Sequence, residues 1–366
     1  MKNNNFYRNL RKNVMNPIND VNPINNVWVF HHTDADGYCS GSVTYLALKE
    51  KLESLAIEIN AGHWHLVPSD YNTDFSKFNI QSNDIVAFVD LSFTENTIDT
   101  LVSLNYMTSN IIWIDHHESD VDVLNKRPDI EELVEGFVYC AIGDRNNRYS
   151  AALICWAILY DKDPSLAPRY VKLVSDWDTW THSMPESIYF NEYISSSKDY
   201  KLVLENEINT NSVWFKLFEE SKNKKSDTPL LDEAIETGKP IVESQKIKNA
   251  RYLRSNGFLS DIFGYTALVC NQKSNSLLFG DDYKKYDLVC PFVLQERNGK
   301  LIYTYSLFSS NEEINCKEIA EQFGGGGHRG AAGFSLPINI FTCSSLRLKW
   351  TLFKIKKSKN KKRTNK

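Results

Sequence analysis

The 366-residue chain has no apolar run long enough to cross a bilayer; runs such as Ala151 to Tyr160 stop well short of the roughly 20 residues that a spanning helix needs. Its amino terminus carries Lys2, Arg8, Arg11 and Lys12 with no apolar segment behind them, which argues against a secretory signal. Cysteine is sparse: seven residues, an odd number, with no C-x-x-C pair, so neither a disulfide scaffold nor a zinc ribbon is expected. A positive excess is missing too. The formal net charge is −4, and ten of the 42 Lys and Arg lie between Leu346 and Lys366, where there is no acid. The other 32 face 46 acidic residues, so the body carries −14 and is ill suited to wrapping nucleic acid broadly. Such a body suits a pocket whose carboxylates hold cations. What remains is the composition of a soluble protein, 42% apolar and 12% aromatic, expected in the cytoplasm and free of membrane. The length asks for two or three domains, not one core.

Residues 1–26 hold ten asparagines and little apolar periodicity, and read as a mobile Asn-rich arm. Short apolar runs then alternate with helical spacing. Val27 to Phe30 predicts a strand, followed by a helix from about Ser40 to Leu55; Ile85 to Val89 predicts a second strand, with helical material around Glu95 to Leu104. Ile111 to Ile114 gives a third, and helices follow near Ser150 and Pro168. This alternation predicts an α/β fold with a doubly wound, mainly parallel sheet. Residues 187–256 are polar with helix-like spacing and read as a helical connector. From Gly257 strands dominate, with Asn298-Gly299 as a turn and a helix near Cys316 to Phe323; a smaller C-terminal α/β domain is expected over 257–340. Residues 341–366 form a basic tail, read as a solubilising end.

Three predicted strands end in Asp or His clusters, and ligands gather at the carboxyl ends of parallel strands. In HHTDADG, Asp34 and Asp36 face the same way if the segment is extended. Two carboxylates held side by side repel each other unless a divalent cation joins them. The same string also suits a solvated Asp-rich turn. Asp90, in FVDLS, is either a ligand or a helix N-cap. Asp115-His116-His117 offers one imidazole for a metal, a second for substrate, and a carboxylate to orient a ring. In SDWDTW either Asp176 or Asp178 can be a ligand, with capping as the competing role. His31 and His32 leave a similar choice, in which His32 fits the H-x-D register.

The segments HHTDADG, FVDLS, WIDHH and SDWDTW, in this order and at this spacing, resemble the four motifs of the DHH phosphoesterase superfamily. Six of the 16 glycines fall within Gly324 to Gly333, in a string similar to the GGGH-x-x-AAG signature of the DHH-associated substrate-binding domain. Consecutive glycines expose backbone N–H groups that can form an anion-binding nest. The two matches cover roughly residues 27–185 and 257–336. The first and last motifs look most like NrnB-type oligoribonucleases. Family II pyrophosphatases lack the glycine module, and RecJ-type exonucleases are larger and replace the first-motif histidine. One departure stands out. Where many relatives have S-L-R-S, this chain has Ser306-Leu307-Phe308-Ser309-Ser310. Phe308 cannot grip phosphate, which leaves Arg329 as the candidate.

The resemblance implies a catalytic domain over 27–186 and two divalent ions, preferably manganese, with magnesium or cobalt as substitutes. His32 and Asp34 would bind one ion, and Asp36, His116 and Asp178 the other, with Asp90 as the bridge. An activated water would attack phosphorus in line. His117 and His328 would contact the scissile phosphate, and Asp115 would orient a histidine. Gly325, Gly326, Gly327, His328 and Arg329 would hold the terminal nucleotide. The implied activity is hydrolysis of short RNA or DNA oligonucleotides to mononucleotides. A phosphatase of small nucleotides such as 3′-phosphoadenosine 5′-phosphate, a hydrolase of linear dinucleotides and a RecJ-like single-strand exonuclease stay open beside it. A non-catalytic nucleic-acid-binding module is disfavoured, since it has no use for so many metal ligands. A homodimer is left open.

Overall fold

The computed structural model describes residues 24–337, except 71–72, 96, 109, 128, 131–136, 140–148, 180, 223–228, 263, 274–283, 298, 312 and 328. Most of the expected arm, the whole basic tail, Asn298 of the expected turn and His328 therefore lie outside the described residues. The chain divides into two compact units, one up to Ile241 and one from Val242.

The first unit is built on a parallel sheet of β1 (Val27–His31), β2 (Trp64–Pro68), β3 (Ile85–Val89), β4 (Ile111–Asp115) and β5 (Phe137–Tyr139), in the order β2-β1-β3-β4-β5. Every residue of β1, β3 and β4 is buried, which is why these strands read as unbroken apolar runs. Among the described residues, five helices cover the sheet: α1 (Ala35–Ser54), α2 (Asp99–Met107), α3 (Glu118–Lys126), α4 (Ala151–Leu159) and α5 (Arg169–Asp178). Side chains alternate between the faces. Val29, Ala87 and Ile114 pack with α1, α4 and α5, while Phe30, Phe88 and Trp113 pack with α2 and α3. The expected doubly wound parallel sheet is present. Its order reverses between β1 and β3, and the crevice at such a reversal is where ligands bind in sheets of this kind.

Two local features set the geometry at that edge. α1 starts five residues before the predicted Ser40, because Asp34 caps it: its Oδ1 accepts from Gly37 N at 2.9 Å. Gly37 is required there, since a Cβ would lie 2.3 Å from the carbonyl oxygen of His32. At the opposite end of the sheet, buried Asp84 accepts from Asn26 N (3.0 Å), Asn26 Nδ2 (2.9 Å), Trp28 Nε1 (2.9 Å) and Gln81 N (2.9 Å). That carboxylate ties the starts of β1 and β3 together.

Beyond α5 come α6 (Ser187–Ser196), a hairpin of β6 (Val203–Leu204) and β7 (Glu207–Ile208), α7 (Val213–Lys222) and α8 (Pro229–Asn256). The polar average of this stretch conceals Phe190, Ile194, Leu202, Trp214, Leu217 and Ile235, all buried in the first unit's core. The second unit carries β8 (Phe258–Ile262), β9 (Tyr265–Asn271), β10 (Leu288–Arg297), β11 (Lys300–Phe308), α9 (Cys316–Glu321), β12 (Gly326–Gly327) and β13 (Ala331–Pro337). Its sheet order is β12-β13-β11-β10-β9-β8, with β9 and β10 parallel and the other pairs antiparallel. Cys316 and Ile319 of α9 pack on Val269, Cys290 and Leu307. Among the described residues no helix is long and apolar enough to cross a membrane.

Candidate metal centre

The carboxyl ends of β1, β3 and β4 and the last turn of α5 bring His32, Asp34, Asp36, Asp90, Asp115, His116, His117 and Asp178 together. Among the described residues, three sets place ligand atoms within 4.8 Å of one another: His32, Asp34 and Asp90; Asp36, His116 and Asp178; and Asp90, Asp115, His116 and His117. Asp90 belongs to two of them. Its Oδ2 is 3.7 Å from His32 Nδ1 and its Oδ1 is 3.5 Å from His116 Nε2.

Adjacent residues at the end of β1 take opposite directions. His31 is buried, donates from Nδ1 to the His32 carbonyl at 2.8 Å, and is pushed down to about 4 by burial. His32 reaches the cluster, with Nδ1 2.8 Å from Asp34 Oδ2. The extended segment expected over Asp34 to Asp36 is not formed, because the Asp34 cap begins the helix at Ala35. The two carboxylates accordingly fall in different sets. Buried Asp36 accepts from Ala151 N (2.8 Å) and Ala152 N (3.0 Å) at the start of α4, and its Oδ2 is 3.8 Å from His116 Nε2.

Asp90 has φ 57°, a left-handed backbone at the end of β3, and does not cap a helix; α2 starts only at Asp99. Asp178 Oδ2 lies 3.3 Å from His116 Nε2. Asp176 instead accepts from Ser183 N (2.7 Å), Ser183 Oγ (2.7 Å), Met184 N (3.2 Å) and Ser187 Oγ (2.7 Å), holding the turn before α6. Asp115 Oδ1 accepts from His116 N and His117 Nδ1, both at 2.7 Å, and Oδ2 from Ser92 Oγ at 3.1 Å.

These contacts split the cluster electrostatically. Burial, with the neighbouring carboxylates, pushes Asp90 and Asp178 well above the usual carboxylate range and Asp36 up to about 7. Against burial, the Asp115 carboxylate raises His117 to about 9, and His117 in turn holds Asp115 far below its ordinary value. Asp90 Oδ2 is buried with no hydrogen-bond partner among the described residues. Crowded carboxylates, three imidazoles and an orphaned carboxylate oxygen fit divalent cations.

No family model matches the chain. Over 324 residues it is 23% identical to an uncharacterised protein of Acanthamoeba polyphaga mimivirus, which covers 84% of this chain and 67% of that protein. It is similar in structure to a solved DHH domain from a member of the s1p family of ribosomal proteins, with TM-score 0.59, 12% identity, and coverage of 97% of this chain and 89% of that one. An exopolyphosphatase-related protein from Bacteroides fragilis gives TM-score 0.52 at 14% identity, covering 96% and 97% of the two chains. This is the DHH-domain fold.

The DHH fold places the name-giving triplet, Asp115-His116-His117, at the end of β4. The glycine segment lies in the second unit. Gly324 and Gly327 have φ 73° and 138°, and a Cβ on Gly325 would meet the Gly333 carbonyl at 2.1 Å. Gly326 and Gly327 pair with Gly333 and Ala332 of β13, while the carbonyls of Arg329 and Gly330 accept from Cys316 N (2.8 Å) and Ser309 N (3.0 Å). Phe308 packs among Leu253, Leu268, Cys270 and Val289, so this position serves the core of the second unit. Sequence reasoning missed Asp120. It is buried in α3 and pushed well above the carboxylate range by burial and the Asp115 charge. An acid in the first turn of a helix reads as an ordinary dipole partner, so no signal marked it. Ser92 could have been found, since it lies inside the FVDLS motif.

Proposed function

We propose that the chain is a divalent-metal-dependent phosphodiesterase that hydrolyses short oligonucleotides to mononucleotides, as NrnB-type enzymes do. The observation that carries this is Asp90, set between two ligand sets with an oxygen that nothing in the described protein satisfies. His32, Asp34 and Asp90 would hold one ion; Asp36, His116, Asp178 and Asp90 would hold a second. Manganese suits mixed imidazole and carboxylate ligands best, with magnesium and cobalt as substitutes. Such ions supply a nucleophilic water at neutral pH and offset the charge of the phosphate. The chain's own part is positioning. Asp115 orients His117 through Nδ1 and keeps the ring protonated, so that its Nε2–H can donate to a phosphate oxygen. Asp36 is anchored by the α4 amides, so its carboxylate cannot swing away.

In the second unit, the backbone N–H groups of Gly326 and Gly327, with His328 and Arg329, would take a nucleotide phosphate, whereas Gly325 N already donates to the Ala320 carbonyl at 3.0 Å and is not available for one. The body's charge of −14 favours short RNA or DNA over long strands, whose binding rests on many phosphate contacts. Buried free cysteines, among them Cys39, Cys155 and Cys290, suit a reducing cytoplasm. The test is a manganese assay on 5′-labelled RNA and DNA from two to about 25 nucleotides, with 3′-phosphoadenosine 5′-phosphate alongside. Oligomers of about two to five nucleotides should be cleaved fastest. Turnover of the bisphosphate alone points to a small-nucleotide phosphatase, a best substrate of about 25 nucleotides to a processive exonuclease, and either result replaces the proposal.

A further inference from the structure

A cleft of about 200 Å³ lies between α5 and α6 in the first unit, beside the carboxylates. Its walls are two helical faces. Leu173, Val174 and Trp177 come from α5, and Phe190, Asn191 and Ile194 from α6, at spacings that put each set on one side of its helix. Phe190 and the aliphatic side chains are buried, whereas Trp177 and Asn191 stay partly exposed at the rim. Ser187 also lines the cleft, but its hydroxyl is committed to Asp176 at 2.7 Å. Asp34, Ala35, Asp36 and Asp178 close the remaining side.

We infer that this cleft receives the nucleobase of the nucleotide whose phosphate lies at the metal centre, with Trp177 as the stacking surface and the Asn191 amide reading the base edge. The inference rests on the phosphodiesterase function proposed above. No Lys, Arg or His is among the residues that line the cleft, so nothing in its walls pairs with a second phosphate and the occupant is an uncharged group. Apolar walls with an indole at the rim favour a flat aromatic ring, and the volume matches one base, not a run of nucleotides. Asp34, Asp36 and Asp178 belong to both the cleft and the ligand sets, which puts a base here within one nucleotide of the cluster. An amide presents a donor and an acceptor in one plane, the arrangement that pairs with the N6 and N7 atoms of adenine.

Two measurements on the full chain test this. With manganese, kcat/KM is determined for an adenine dinucleotide and for the same phosphodiester with both bases removed. In Trp177→Ala and Asn191→Leu the adenine substrate should lose at least about tenfold more than the abasic one. Trp177→Phe should keep most of the preference. Equal losses on both substrates would make these residues structural and overturn the inference, as would no loss on either. Separately, adenosine, an uncharged nucleoside, is titrated into each protein with tryptophan fluorescence as the readout. Saturable quenching is expected in the wild type, absent in Trp177→Phe and weakened in Asn191→Leu. Absence of quenching in the wild type overturns the cleft assignment. Quenching with no hydrolysis of either dinucleotide leaves the cleft standing and removes the phosphodiesterase function.

Discussion

At Asp90, one backbone angle and one carboxylate explain why the residue type is restricted. A φ of 57° is tolerated by Asp and Asn far better than by a branched side chain. Asp90→Asn should therefore fold, yet lose more than about 100-fold in kcat/KM, since it removes the charge shared by both ligand sets. Asp176→Ala should do the reverse, keeping manganese affinity while losing about 1–3 kcal/mol of stability in urea unfolding, because four donors lose a buried acceptor. If Asp176→Ala loses the metal and Asp178→Ala keeps it, the ligand assignment on α5 is wrong. The family resemblance pointed to Asp178, but helix geometry alone could not make that choice: residues two apart on a helix differ by about 200°, and nothing in SDWDTW says which side faces the strand ends. His31 and His32 pose the same problem at a strand end, where neighbours point to opposite faces. Here the H-x-D register named His32, and His32 is the histidine placed beside Asp34 and Asp90.

Several residues of the cluster also anchor the helices around it. Asp34 starts α1, Asp36 accepts from the first amides of α4, and Asp178 ends α5, so the elements and the centre are assembled by the same side chains. Gly37→Ala tests this coupling. The added Cβ would press on the His32 carbonyl, and the expected result is a loss of about 1–3 kcal/mol in stability together with weakened manganese binding, read by calorimetry. Asp84→Ala is the contrast at the other end of the sheet. Stripping an acceptor from Asn26, Trp28 and Gln81 should cost about 2–4 kcal/mol while the variant keeps wild-type kcat, and lost activity in a folded variant would contradict the separation. The strands and the order of the motifs were readable because buried parallel strands leave continuous apolar runs. The stretch after Asp178 was not, because its core residues are scattered singly through polar helices and their partners are distant in sequence.

For the whole molecule, the cluster makes stability depend on pH and on cations together. Below about pH 4 the carboxyls are protonated in both folded and unfolded chains, and their crowding costs nothing. As pH rises, the unfolded chain releases protons that Asp36, Asp90 and Asp178 still hold, so the metal-free protein loses stability through about pH 7 and beyond. His117 adds to the same slope: its stabilisation is complete below about pH 6.5 and disappears as pH rises through about 9. Asp115, held low, contributes stability that is lost only in strong acid, so it is constant across this range. Divalent cations bind the deprotonated carboxylates and reverse the trend. In chelator, Tm should therefore fall steadily from about pH 5 to about pH 9, and the rise in Tm on adding manganese should be larger at about pH 8 than at about pH 5. Hydrolysis should vanish in chelator and return more fully with manganese than with magnesium. A chelated protein whose Tm is flat or rising over this range would mean that the carboxylates are not held protonated against one another. Undiminished hydrolysis in excess chelator would remove the cations from the mechanism, even with every ligand distance as described.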